Sequence, residues 1–104
     1  SDLFIFFQRL KLSIFELSRP MEDSIILQDL ESLATDLAIE IRYDALEGRG
    51  GLCKYGGKTY LIVNRSLSVQ ERIHLLSRAL SRFPLDDVFL RPQVREILEK
   101  NELI

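Results

Sequence analysis

The chain has 104 residues, the size of a single domain. Hydrophobic residues make up 46% and charged residues 29%, a balance that excludes a disordered tail and a membrane-spanning bundle. The net charge of -2 argues against a dedicated nucleic-acid binder; the single cysteine excludes an internal disulfide and a two-cysteine zinc site, and the single histidine excludes a site with two imidazoles.

Residues 2–18 place Leu3, Phe6, Phe7, Leu10, Ile14 and Leu17 at helical spacing, although Leu10 to Ile14 also alternates like a strand. Four of the six phenylalanines fall here, more apolar surface than one side of a surface helix buries. Leu3, Phe4, Phe6, Phe7 and Phe15 are therefore expected to form an interaction surface, with a homodimer as the first partner arrangement. Gln8, Arg9, Lys11 and Glu16 interrupt the run, so it falls short of the roughly 20 apolar residues of a spanning helix. Asp2 stands where a signal peptide would carry a basic start. With the lone Cys53, this predicts a cytoplasmic protein with no membrane partner. Met21-Glu22-Asp23-Ser24 reads as a natural start, which would make residues 1–20 an appended apolar helix and residues 21–104 a single α+β domain. A native helix over 1–20 is the competing reading.

After Pro20, a helix is predicted over 21–38, with Ile25, Ile26, Leu30, Leu33, Ala34 and Leu37 as its apolar stripe. Glu22 and Asp23 lie near its positive end. Ile39 to Tyr43 alternates as a half-buried strand. A bend at Gly48, Gly50 and Gly51 leads into strands over 52–55 and 58–64, joined by Gly56-Gly57 in a tight hairpin turn. Ser68 and Glu71 form a capping box that opens a helix over 69–83. Val69, Ile73, Leu76, Leu80 and Phe83 share its apolar side; His74, Arg78 and Ser81 share the polar side, with Ser77 on the border. Pro84 ends this helix, a short 85–90 segment follows, and a last helix runs from Pro92 to Asn101 with Val94, Ile97 and Leu98 inward. The predicted fold is α+β in the order α–α–β–β–β–α–α: a small three-stranded antiparallel or mixed sheet, with a hairpin over about 52–64, packed on helices around the 69–83 helix.

Few residues offer chemistry. His74, Ser77, Arg78 and Ser81 form a polar surface stripe, read first as a solvated face and otherwise as a site for an anion or a partner backbone. Cys53 and His74 are the one thiolate–imidazole combination, but a strand cysteine is expected to be buried and inert. The glycines lack a following Gly-Lys-Ser/Thr and are assigned to turns. Asp86-Asp87 is a candidate metal pair or a helix cap, and with no histidine nearby and adjacent side chains pointing apart the cap is expected. Residues 1–48 carry 4 basic and 10 acidic side chains, and residues 49–95 carry 9 basic and 3 acidic. The basic half has no recognition-helix motif and no aromatic platform beyond Tyr55 and Tyr60, which disfavours nucleic acid.

The segment Tyr60-Leu61-Ile62-Val63-Asn64-Arg65-Ser66-Leu67-Ser68-Val69-Gln70-Glu71-Arg72-Ile73-His74-Leu75-Leu76 resembles the lead-in to the active-site helix of the ImmA/IrrE-like zinc metallopeptidases, which cleave phage-type repressors. In that family the lead-in runs into His-Glu-x-x-His; here the corresponding residues are Ser77-Arg78-Ala79-Leu80-Ser81. Phe89-Leu90-Arg91-Pro92 is similar to a Leu-Leu-Met-Pro stretch that follows in such peptidases. The resemblance implies a related scaffold. The replacements argue against the activity, because serine is a poor substitute for a zinc-bound imidazole and arginine neither ligates nor takes a proton. The expectation is a non-catalytic binding or regulatory module that self-associates, needs no cofactor and is not an enzyme. The alternatives are a hydrolase using Cys53, a peptidase completed by a partner, and a weak nucleic-acid binder using the basic 49–95 half.

Overall fold

The computed structural model describes residues 22–102. The expectations for Met21 and for the surface at Leu3, Phe4, Phe6, Phe7 and Phe15 lie outside the described residues. Three helices and three strands follow in chain order: α1 (Asp23–Asp36), β1 (Ile39–Asp44), β2 (Gly50–Tyr55), β3 (Lys58–Asn64), α2 (Val69–Leu80) and α3 (Pro92–Glu102). The class is α+β, with a small sheet packed on helices as expected.

Helix α1 buries Ile26, Leu27, Leu30, Leu33 and Ala34. Glu22 caps it through its backbone, its carbonyl accepting from the N–H groups of Ile25 (3.0 Å) and Ile26 (3.1 Å). At its end the chain reverses through Ala38, whose φ of 61° is the left-handed conformation usually given to glycine. The reversal delivers the chain directly into β1.

The strand order is β1-β3-β2. β3 lies in the centre, parallel to β1 and antiparallel to β2, so the sheet is mixed. The β2–β3 hairpin turns on Gly56 and Gly57 at φ 59° and 77°, the positive pair that a tight two-residue turn requires. Alternation then divides the side chains between two faces. Ile39, Leu61 and Val63 are buried under the helices, with Leu52 half-buried beside them. On the other face, Glu40 pairs with Arg42 at 2.8 Å and Lys58 at 3.1 Å, and both cations sit near the Tyr60 ring. Cys53 and Tyr55 share that outer face by their register with Tyr60 and Lys58.

Helix α1 packs on β1 and α2, α2 packs beneath β2 and β3, and α3 lies against α2 and α1. One buried cluster joins Leu30, Leu33, Leu61, Val63, Leu76, Leu80, Val94 and Leu98. No helix among the described residues is long and apolar enough to cross a membrane.

The structure corrects three local expectations. Helix α2 ends at Leu80 rather than 83: Ser81 caps it, and a turn follows in which Phe83 N–H donates to the Leu80 carbonyl at 3.2 Å. Val69, assigned to the apolar side, is exposed: it is the first residue of α2, and the buried side chains of that helix begin only at Leu76. Asp86-Asp87 caps no helix: Val88 N–H closes a turn onto Leu85 at 3.3 Å, and α3 begins only at Pro92, a residue whose missing N–H suits the first helical position.

Candidate functional site

A groove of about 270 Å³ runs between the β2 edge and α2, lined by Arg49, Gly50, Gly51, Leu52, His74, Leu75, Arg78, Ala79 and Arg82. Each wall has a local cause. The capping box sets the start of α2: Glu71 N–H donates to Ser68 Oγ at 3.2 Å, and Ser68 N–H donates to Glu71 Oε1 at 3.0 Å. These bonds hold the Glu71 carboxyl below its ordinary range, with Arg49 adding to the effect. From that start, His74 and Arg78 lie one helical turn apart and face the same groove. Arg82 continues from the turn after the helix.

The opposite wall depends on Asn64. Its Nδ2 donates to the carbonyls of Leu46 at 2.9 Å and Gly48 at 2.7 Å, and its Oδ1 accepts from Ser66 N–H at 3.0 Å and Ser66 Oγ at 2.8 Å. Asn64 N–H also donates to the Arg49 carbonyl at 2.9 Å. One side chain therefore holds the loop that carries Arg49 and the turn that leads into α2. Gly50 lets β2 lie close on β3: its φ is 118°, and a Cβ there would overlap the Ile62 carbonyl oxygen.

The groove is cationic. Among the described residues, Arg49, Arg78 and Arg82 make no ion pair. Other cavities differ in this respect. One of about 470 Å³ beside β1 includes Glu31 and Glu40, but Glu31 accepts from Tyr43 Oη at 3.1 Å and Glu40 is held by Arg42 and Lys58. One of about 240 Å³ beside the exposed Phe89 contains Asp29, which is bridged to Arg91 at 3.1 Å.

The predicted polar stripe divides. His74 and Arg78 face the groove. Ser77 does not lie on the surface: it is 1% exposed, its Oγ donates to the His74 carbonyl at 3.1 Å and accepts from Asn101 Nδ2 at 3.0 Å. The physical reason is helical pitch, which turns residue 77 about 60° away from residue 74, toward α3. Ser81 donates to the Arg78 carbonyl at 2.9 Å and borders a different cavity with Phe83 and Arg95. Ser77 and Ser81 thus face different surroundings.

Cys53 is exposed rather than buried, because β2 is an edge strand covered on one face only. It lies on the outer sheet face, whereas Leu52 and His74 lie on the helix side, so the sheet separates the thiol from the imidazole. Sequence reasoning missed Arg49, Arg82 and the Gly50-Gly51 backbone as members of one site. The basic surplus over residues 49–95 was the available signal, and it held no information on which arginines converge.

Among the described residues, no group of three or more His, Cys, Asp or Glu is placed to hold a metal ion. No protein-family model, curated protein or solved structure matches the chain.

Proposed function

We propose that this chain is a non-catalytic binding or regulatory module, with the groove between β2 and α2 as its binding surface. The observation that carries this reading is the side-chain set on the groove: Arg49, Arg78 and Arg82 line it together with the single imidazole of His74. A hydrolytic zinc needs three protein ligands and an open position for water. Guanidinium groups supply neither ligands nor a base, and they repel a cation, but they recognise carboxylates and phosphates well. The resemblance of Tyr60 to Leu76 to the ImmA/IrrE-like lead-in supports a metallopeptidase-like scaffold put to this use, since that stretch runs from β3 through the capping box into α2.

Metal analysis of the purified protein after dialysis, combined with a peptide-cleavage assay with and without chelator, tests the reading. The expected outcome is no stoichiometric zinc and no chelator-sensitive cleavage. One tightly held zinc per chain, or cleavage that a chelator stops, overturns it in favour of a peptidase.

Self-association belongs to the same proposal on the strength of Leu3, Phe4, Phe6, Phe7 and Phe15. Light scattering at micromolar concentration should give twice the 12.1 kDa chain mass, and a monomer removes this part. A cytoplasmic setting is proposed from the single free thiol of Cys53.

A further inference from the structure

We propose that the groove takes an extended protein segment rich in carboxylates, laid as an added strand along the open edge of β2. The inference rests on the groove being the module's binding surface, and it names the occupant.

The strand register supplies the first argument. Asn64 N–H donates to the Arg49 carbonyl, so that pair belongs to the hydrogen-bonded set of the antiparallel ladder. Counting by twos, Gly51–Ile62, Cys53–Tyr60 and Tyr55–Lys58 belong to the same set. Gly50, Leu52 and Lys54 therefore aim their backbone N–H and C=O groups away from β3. Among the described residues, no strand pairs with that edge. An unpaired edge is a template for an incoming extended chain, and every second side chain of that chain faces the groove.

Charge supplies the second argument. The side chains of an added strand that face α2 meet Arg78 and Arg82, with Arg49 at the start of β2. None of these arginines is in a direct ion pair among the described residues, Glu71 acting on Arg49 only through its charge, and arginine pairs with carboxylate through two parallel hydrogen bonds. A single-stranded nucleic acid fits less well, because Tyr55 and Tyr60 lie on the opposite sheet face and the groove lining offers one small ring, the His74 imidazole, rather than a run of rings for successive bases. A second copy offering its β1 edge also fits less well, because Glu31 and Glu40 there are already paired.

The test is amide chemical-shift mapping on the full chain, titrated with a peptide of alternating glutamate and valine. Its lysine counterpart, a version N-methylated at alternate residues and an oligothymidylate serve as comparisons. The acidic peptide should shift Gly50, Gly51, Leu52, His74 and Arg78. Arg78→Glu should weaken binding about tenfold or more. N-methylation should abolish binding in the register that blocks the backbone hydrogen bonds. No shifts with the acidic peptide, equal binding of the lysine peptide, or tolerance of N-methylation in both registers overturns the inference. Tighter binding of the oligothymidylate at the same amides overturns the occupant and leaves the groove standing. Shifts confined to Arg42 and Lys58 on the outer face overturn both.

Discussion

Asn101 on α3 donates from Nδ2 to the Oγ of Ser77 on α2 at 3.0 Å, and the same Nδ2 donates to the Ile97 carbonyl at 2.9 Å. Ser77 is thereby an interior joint between two helices, although it stands where the family resemblance would put a metal ligand. A contrast between neighbours follows. Ser77→His should destabilise the fold by about 2 kcal/mol or more, because it overfills a buried site and breaks a hydrogen-bonded pair. Arg78→His should leave stability nearly unchanged and place two imidazoles one turn apart on the groove, a pair able to bind zinc or nickel. Denaturant melts and calorimetric metal titration check both. Metal affinity gained by Ser77→His rather than Arg78→His would show that the groove-facing side of α2 is wrongly assigned.

Gly50 and Gly51 should respond differently to alanine. At Gly50 the left-handed φ and the Ile62 carbonyl oppose a side chain together, so Gly50→Ala should cost on the order of 2–4 kcal/mol. Nothing lies within 4 Å of a Cβ at Gly51, and its substitution should stay within about 0.5 kcal/mol. Thermal or denaturant unfolding reads the difference, and hydrogen exchange should place the loss in β2 and the Arg49 loop.

Tyr43 links three elements. Its hydroxyl donates to Glu31 Oε2 on α1 at 3.1 Å, and Arg72 of α2 lies over its ring at 5.1 Å. Burial, followed by the Glu31 carboxylate, pushes the phenol from 10.0 up to about 12, with Arg72 acting in the opposite direction. The folded state therefore holds the phenolic proton more tightly than the unfolded state. This contribution is fully present below pH 10 and is lost as the pH rises toward about 12. Unfolding free energies across that alkaline range should fall for the native chain and fall less steeply for Tyr43→Phe. Parallel profiles would remove the linkage.

Ala38 adopts φ 61° at the α1–β1 reversal, where its N–H donates to the Thr35 carbonyl at 3.0 Å. Alanine is strained there and glycine is not, although glycine gives the unfolded chain more freedom. The difference predicts that Ala38→Gly stabilises the protein by about 0.5–1 kcal/mol, a direction opposite to that of most glycine substitutions. An upward shift of the denaturation midpoint at unchanged slope checks it.

Local chemistry was legible in the sequence. The Gly56-Gly57 turn, the Ser68–Glu71 capping box, the alternation of 39–43 and 58–64 and the stripe of α1 each depend on residues a few positions apart, and each appears in the structure. The site was legible only in part. His74 and Arg78 were singled out together, but the stripe that held them also included Ser77 and Ser81, and Arg49 and Arg82 were left outside it.

The elements, their order and the α+β class were set by the chain's own patterning, because backbone hydrogen bonding and side-chain periodicity are short-range. Which strand lies at the edge, whether Cys53 points to solvent, and whether Ser77 meets Asn101 or the groove were decided only by tertiary packing. Those outcomes depend on how β3 slots between β1 and β2 and how α3 closes on α2, and contacts between residues far apart in sequence leave no periodic mark on either partner.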